Sequence, residues 1–146
     1  MNKQTRNILN VSLTLIAIYL YSFTANNIET EILGYNSFKF LISIAVLIQF
    51  LIFLPSFIFK TEKFYDLTGS LTYISVTSIA YFSLDNPTTT DTILYLYVII
   101  WAGRLGIFLF RRINKDGKDE RFDKAKKKFF WFLQYWIGQA AWVVFT

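Results

Sequence analysis

Five continuous apolar runs, separated by short polar segments, organise this 146-residue chain. They read Ile8 to Ala25, Phe38 to Phe59, Leu67 to Leu84, Thr92 to Phe110 and Phe129 to Phe145. Each is about 17–22 residues long, and roughly 20 are needed to cross the hydrocarbon as a helix. The runs are continuously apolar rather than alternating, which argues against the strands of a barrel. In lipid the backbone must be satisfied internally, so the pattern predicts helices. The third run carries Thr68, Ser70, Thr72, Ser75, Thr77 and Ser78, whose hydroxyls can bond back to the helix or across to a neighbour. Pro55, near the end of the second run, is expected to kink it. The first run follows Lys3 and Arg6 as a signal peptide would. Its length and the poor small-x-small site Phe23-Thr24-Ala25 favour a retained span. The expected architecture is all-α: one polytopic transmembrane bundle of about five spans over residues 1–146.

Charge gives that bundle an orientation. All of the 15 basic residues except Lys39 and Arg104 fall before the first run or in the loops after the second and fourth. The opposite loops hold Glu29, Glu31, Asp85 and Asp91. Positive residues stay on the cytoplasmic side, so the N-terminus is expected there. The chain is then expected to be a multi-pass membrane protein.

Composition agrees and narrows the chemistry. Hydrophobic residues make up 54% and charged residues 17%, against about 25% charged in soluble domains. A soluble domain of this length has too much surface to hide so much apolar side chain. There is no cysteine, hence no disulfide, thiolate nucleophile or cysteine metal site. There is no histidine, hence no imidazole base. No metal site is expected. Chemistry must come from Arg, Lys, Asp, Glu, Tyr or a cofactor.

Three features stand out as candidate sites. Arg104 lies inside the fourth run, flanked by Gly103 and Gly106, roughly 10 Å deeper along a helix than Arg111. An arginine at that depth either faces the bundle interior or a wet cavity, or snorkels to the interface or pairs with a carboxylate. The segment from Arg111 to Lys128 holds nine cations and four acids. Its lysines Lys124 to Lys128 suit anionic headgroups; Arg111, Arg112 and Arg121 suit bidentate phosphate binding. Juxtamembrane charge confined to one short loop does not point to nucleic acid. The third feature is Lys63-Phe64-Tyr65-Asp66-Leu67-Thr68-Gly69-Ser70. Asp66 is placed to cap the third helix or to partner Arg104 or a ligand, and Gly69 allows close packing. In the fifth run Gln134 and Gln139 are about 140° apart on a helix, so they do not share a face.

Taken together, Lys63 to Ser70, Trp101-Ala102-Gly103-Arg104-Leu105-Gly106 with Arg111-Arg112, Gly117-Lys118-Asp119-Glu120-Arg121-Phe122, and Phe132 to Gln139-Ala140 resemble a family. That family is the uncharacterised bacterial branch of the steroid 5-alpha-reductase-like membrane proteins, whose superfamily includes isoprenylcysteine carboxyl methyltransferases. The resemblance covers roughly residues 40 to 146. It implies an all-helical membrane enzyme with a cytoplasmic cofactor: NADPH for reduction of a carbon–carbon double bond in a lipid or steroid-like substrate, or S-adenosylmethionine in the methyltransferase branch. It also implies that Arg104, Arg111, Arg112, Asp119 and Arg121 lie at the cofactor end. Asp66 joins them as a group that orients phosphate or ribose; Tyr65 is the nearest candidate proton donor, and no catalytic residue is assigned. Members are longer, so the resemblance implies the N-terminal part of a domain, inactive alone and completed by further helices or a partner. The other expectation is a non-enzymatic small helical membrane protein whose basic loop binds anionic membrane lipid or a protein partner.

Overall fold

The computed structural model describes residues 2–24 and 30–146. Ala25, Glu29 and the end of the first apolar run fall outside the described residues. Five α-helices account for the five runs: α1 (Lys3–Ser22), α2 (Ser37–Ile58), α3 (Tyr65–Phe82), α4 (Thr89–Asp116) and α5 (Phe129–Phe145). The fold is all-α apart from a two-residue antiparallel hairpin, Glu31–Ile32 (β1) with Tyr35–Asn36 (β2). Leu33 and Gly34 turn that hairpin with φ of 54° and 78°. The helices α2 and α4 are long and apolar enough to cross a membrane.

Local signals fix the ends. The Asn2 side chain accepts from the Gln4 N–H, starting α1 ahead of its apolar run. Asn36 closes the hairpin and caps α2, accepting from the Lys39 N–H at 3.2 Å. Thr88 and Asp91 form a reciprocal capping box at the start of α4. The helix α2 runs through Pro55 and stops three residues later, at Ile58. Nothing breaks α4 at the end of its apolar run. It continues through Arg111-Arg112 to Asp116 and ends at Gly117, which takes the left-handed conformation at φ 78°. The supposed loop from Arg111 is therefore helix for its first third. The rest is two 3-10 turns, Glu120–Phe122 and Ala125–Lys127.

Packing runs in the order α1, α5, α2, α3, α4. Of two core clusters among the described residues, the smaller joins Ile18, Ile42, Ala140 and Ala141, and the larger lies at the end of the bundle that carries the basic loop. There Trp136 of α5 meets Phe53 of α2, Phe132 and, through Tyr65, Phe122 of the first 3-10 turn. Trp136, Phe53, Phe122 and Phe132 are all fully buried. The hydroxyls of α3 do both things expected of them. Thr68 and Thr72 donate to the carbonyls of Phe64 and Thr68, and Thr72 accepts from the Gln49 amide of α2 at 3.0 Å. Two glycines bring helices together. A Cβ on Gly69 would meet the Gln139 amide at 2.5 Å, and one on Gly106 would meet Ser70 Cβ at 2.7 Å. Gly103 has nothing within 4 Å. Gly106 thus serves the α3–α4 contact while Gly103 does not.

Candidate functional site

The site is assembled where α3 begins and α4 ends. Phe64 takes the N-cap position of α3 with no side-chain cap bond, so Asp66 is not the cap expected of it. One turn position further in, its carboxylate is free of the backbone and reaches across to Arg112. Arg112 Nη2 donates to Asp66 Oδ2 at 3.4 Å. The side chains are 44% and 19% exposed, so this pair contributes less than about 1 kcal/mol. It places the Arg112 guanidinium beside the first turn of α3.

After Gly117 the chain folds back beneath α3. Asp119 is the cap of the first 3-10 turn; its Oδ1 accepts from the Arg121 N–H at 3.0 Å. The Arg121 guanidinium grips the same carboxylate through Nε at 3.0 and 2.9 Å and through Nη2. That hydrogen bond from Arg121 holds Asp119 below the ordinary carboxylate range, against its partial burial. The same bond holds Arg121 above its usual value. The turn is anchored by a residue that the sequence reading passed over, Glu62. Its side chain is buried, its Oε1 accepts the Asp119 N–H at 3.0 Å, and its Oε2 accepts Lys126 Nζ at 2.8 Å. The available signal was that Glu62 is the only acid in the α2–α3 connection.

The result is a cleft of about 530 Å³. Leu109 and Ile113 form its apolar wall. Asp66, Asp116, Asp119 and Glu120 supply carboxylates, and Arg112, Lys118 and Arg121 supply cations. The cations are outnumbered, and Arg112 and Arg121 already share their donors with Asp66 and Asp119. The lining therefore suits a ligand that presents both phosphate oxygens to the guanidiniums and hydroxyls to the carboxylates. A bare anion would meet net negative walls.

Four of the six expected cofactor-binding residues, Asp66, Arg112, Asp119 and Arg121, come together here. Arg104 and Arg111 do not. The packed face of α4 carries Ala102, Gly106 and Ile113. Arg104 follows Ala102 by two residues, about 200° round the helix, and so is exposed on the opposite face. Arg111, seven residues on, shares that outer face. Arg104 thus faces away from the bundle rather than into it. Tyr65 is also committed elsewhere: its hydroxyl donates to the Tyr135 carbonyl at 3.1 Å, tying α3 to α5. The two glutamines part as expected, Gln139 against Gly69 and Gln134 beside Asn10 of α1.

Against known proteins, residues 52–146 match the family described as protein of unknown function, DUF1295. No curated protein and no solved structure matches the chain. The matched span runs from the middle of α2 through α5 and includes every residue of the cleft. The chain therefore belongs to the DUF1295 family, which is related to the steroid 5-alpha-reductase-like proteins.

Proposed function

We propose that this chain is a five-span protein of the bacterial inner membrane with a cytoplasmic N-terminus, and that it is reductase-like. In this reading the cleft of Asp66, Arg112, Asp119 and Arg121 takes the phosphate-and-ribose end of NADPH. A lipid or steroid-like substrate approaches from the bilayer. The observation that carries the reading is the convergence of these four residues, drawn from three separate segments, on the side where the basic residues gather. Both guanidiniums are partly exposed and reachable from solvent. When bound, the cofactor supplies a hydride, which asks for no histidine from the protein. Arg112 and Arg121 bind phosphate oxygens, while Asp66 and Asp119 orient the guanidiniums and accept from ribose hydroxyls. Glu62 and Lys126 hold the Asp119 turn at the right height.

The second reading is a non-enzymatic membrane protein whose basic segment meets anionic lipid or a partner. Its support is that Asp66 and Asp119 already pair with Arg112 and Arg121 without any ligand, while Lys124, Lys127 and Lys128 are exposed. Equilibrium binding of NADPH to the detergent-purified chain tests the choice. Saturable binding supports the first reading and its absence the second. Binding of S-adenosylmethionine in place of NADPH would move the chain to the methyltransferase-like branch.

A further inference from the structure

A second cleft opens on the other side of the bundle, between the N-terminal ends of α1 and α5. It consists of two adjoining spaces of about 370 and 360 Å³ that share Lys3, Asn7 and Trp131. It has no residue in common with the Asp66–Arg112 cleft. Its cations are Lys3, Arg6 and Lys128, and no carboxylate lines either space. This is the reverse of the first cleft, whose cations are outnumbered.

The polar groups here are also unclaimed. Among the described residues, no hydrogen bond or ion pair engages the side chains of Lys3, Arg6, Asn7, Asn10, Lys128 or Gln134. Lys3, Asn7 and Asn10 follow one face of α1 at spacings of four and three. The same face continues into Val11 and Ile18, which are buried in the core clusters shared with α5. The face that α1 turns to α5 is amide-and-cation from Lys3 to Asn10 and continues beyond it with Val11, Thr14, Ile18 and Ser22, which carry no charge. On α5 the residues that face this end of α1 are Trp131 and Gln134, so the cleft is lined by amides from both helices. Trp131 forms the aromatic wall of both spaces, and no side chain caps α5 at Lys128.

We propose that this cleft binds a phosphate ester with a hydroxylated head group, of the glycerophosphate type. Lys3, Arg6 and Lys128 take the phosphate oxygens. Asn7, Asn10 and Gln134 bond to the hydroxyls. The assignment stands apart from the reductase reading. The ester arrives either as an anionic lipid head group or as a free solute.

The test uses the full chain in zwitterionic detergent, titrated with short-chain phosphatidylglycerol and separately with glycerol phosphate. The expected result is saturable binding that K3Q/R6Q/K128Q weakens by about tenfold or more, the loss of roughly one charge-assisted bond or more. K63Q/K124Q/K127Q removes the same charge from exposed positions outside the cleft and is expected to leave binding within about threefold. The charge-neutral Asn7→Leu is expected to weaken both ligands while the melting profile is kept. Binding of glycerol phosphate with the same variant dependence assigns a soluble ester; binding of the lipid alone assigns a head group. Equal weakening by the two triple variants, or no saturable binding of either probe, would overturn the proposal.

Discussion

The Oε1 atom of Glu62 accepts the backbone N–H of Asp119 at 3.0 Å, across 57 positions of sequence. This bond sets the height of the Asp119–Arg121 turn beneath α3, and Lys126 on Oε2 balances the buried charge. Replacing Glu62 by Gln keeps the shape, weakens the Lys126 contact and leaves it less compensated. A loss of about 1.5–3 kcal/mol is expected, the range for a hydrogen bond to a charged group. Chemical unfolding in detergent measures it, and cleavage of the 117–128 segment by a soluble protease should accelerate in parallel. Unchanged stability and unchanged cleavage would show that the turn is held by other contacts.

The glycines of α4 should respond in opposite senses. A Cβ at Gly106 would lie 2.7 Å from Ser70 Cβ, an atom fixed to the α3 backbone. Gly106→Ala is therefore expected to cost about 1–3 kcal/mol as an overpacked contact. Gly103 has open space around it. Gly103→Ala is expected to be neutral or to stabilise by up to about 1 kcal/mol through helix propensity. Gly69→Ala meets the far end of the flexible Gln139 side chain and should fall between them. Thermal melts of the three variants give the order directly.

The helices were legible from sequence because length and continuous apolarity need no knowledge of neighbours. The facing of Arg104 was not, because a charge at depth fits either an inward face or a side chain that snorkels along the outer one. The missing clue lay beside it. Ala102 and Gly106, small and four apart, mark the packed face of α4, and a residue two from each must point away. Glu62 was missed for a different reason. A single acid in a short connection has no pattern, and its two partners lie 57 and 64 positions away. The cap expected at Asp66 fell to Phe64, because the preceding chain turns tightly enough for the Glu62 carbonyl to accept the Tyr65 N–H at 2.9 Å. The β1–β2 hairpin escaped notice because Leu33-Gly34 is not a common turn pair.

Acid should loosen the turn with a defined sign. The folded pKa of Asp119 lies below its ordinary value because Arg121 bonds to the charged form. Its contribution is complete above the ordinary carboxylate pKa of about 4 and drains away as pH falls through the lower folded value. Arg121→Gln removes the cause, so the carboxyl midpoint should rise towards the ordinary value. NMR titration of the Asp119 carboxyl carbon in both proteins checks this. A wild-type midpoint equal to that of the variant would mean that Arg121 does not hold the carboxylate in solution.

Orientation is open to a direct reporter. Fusions after residue 88, ahead of α4, and after Lys118, beyond it, should report opposite sides of the membrane. The cytoplasmic signal should come from Lys118, where the cations gather. Reporter activity from residue 88 on the cytoplasmic side would invert the arrangement and move the Asp66–Arg112 cleft away from any cytoplasmic cofactor.

The most direct test of the cofactor cleft compares NADPH affinity in three proteins: wild type, Arg112→Gln/Arg121→Gln and Arg104→Ala. Arg112 and Arg121 line the cleft, and Arg104 faces away from it. The expected result is saturable binding to the wild type, weakened about tenfold or more in the double variant and unchanged in Arg104→Ala. Loss of binding in Arg104→Ala with retention in the double variant would contradict the account, as would a wild type that binds no NADPH.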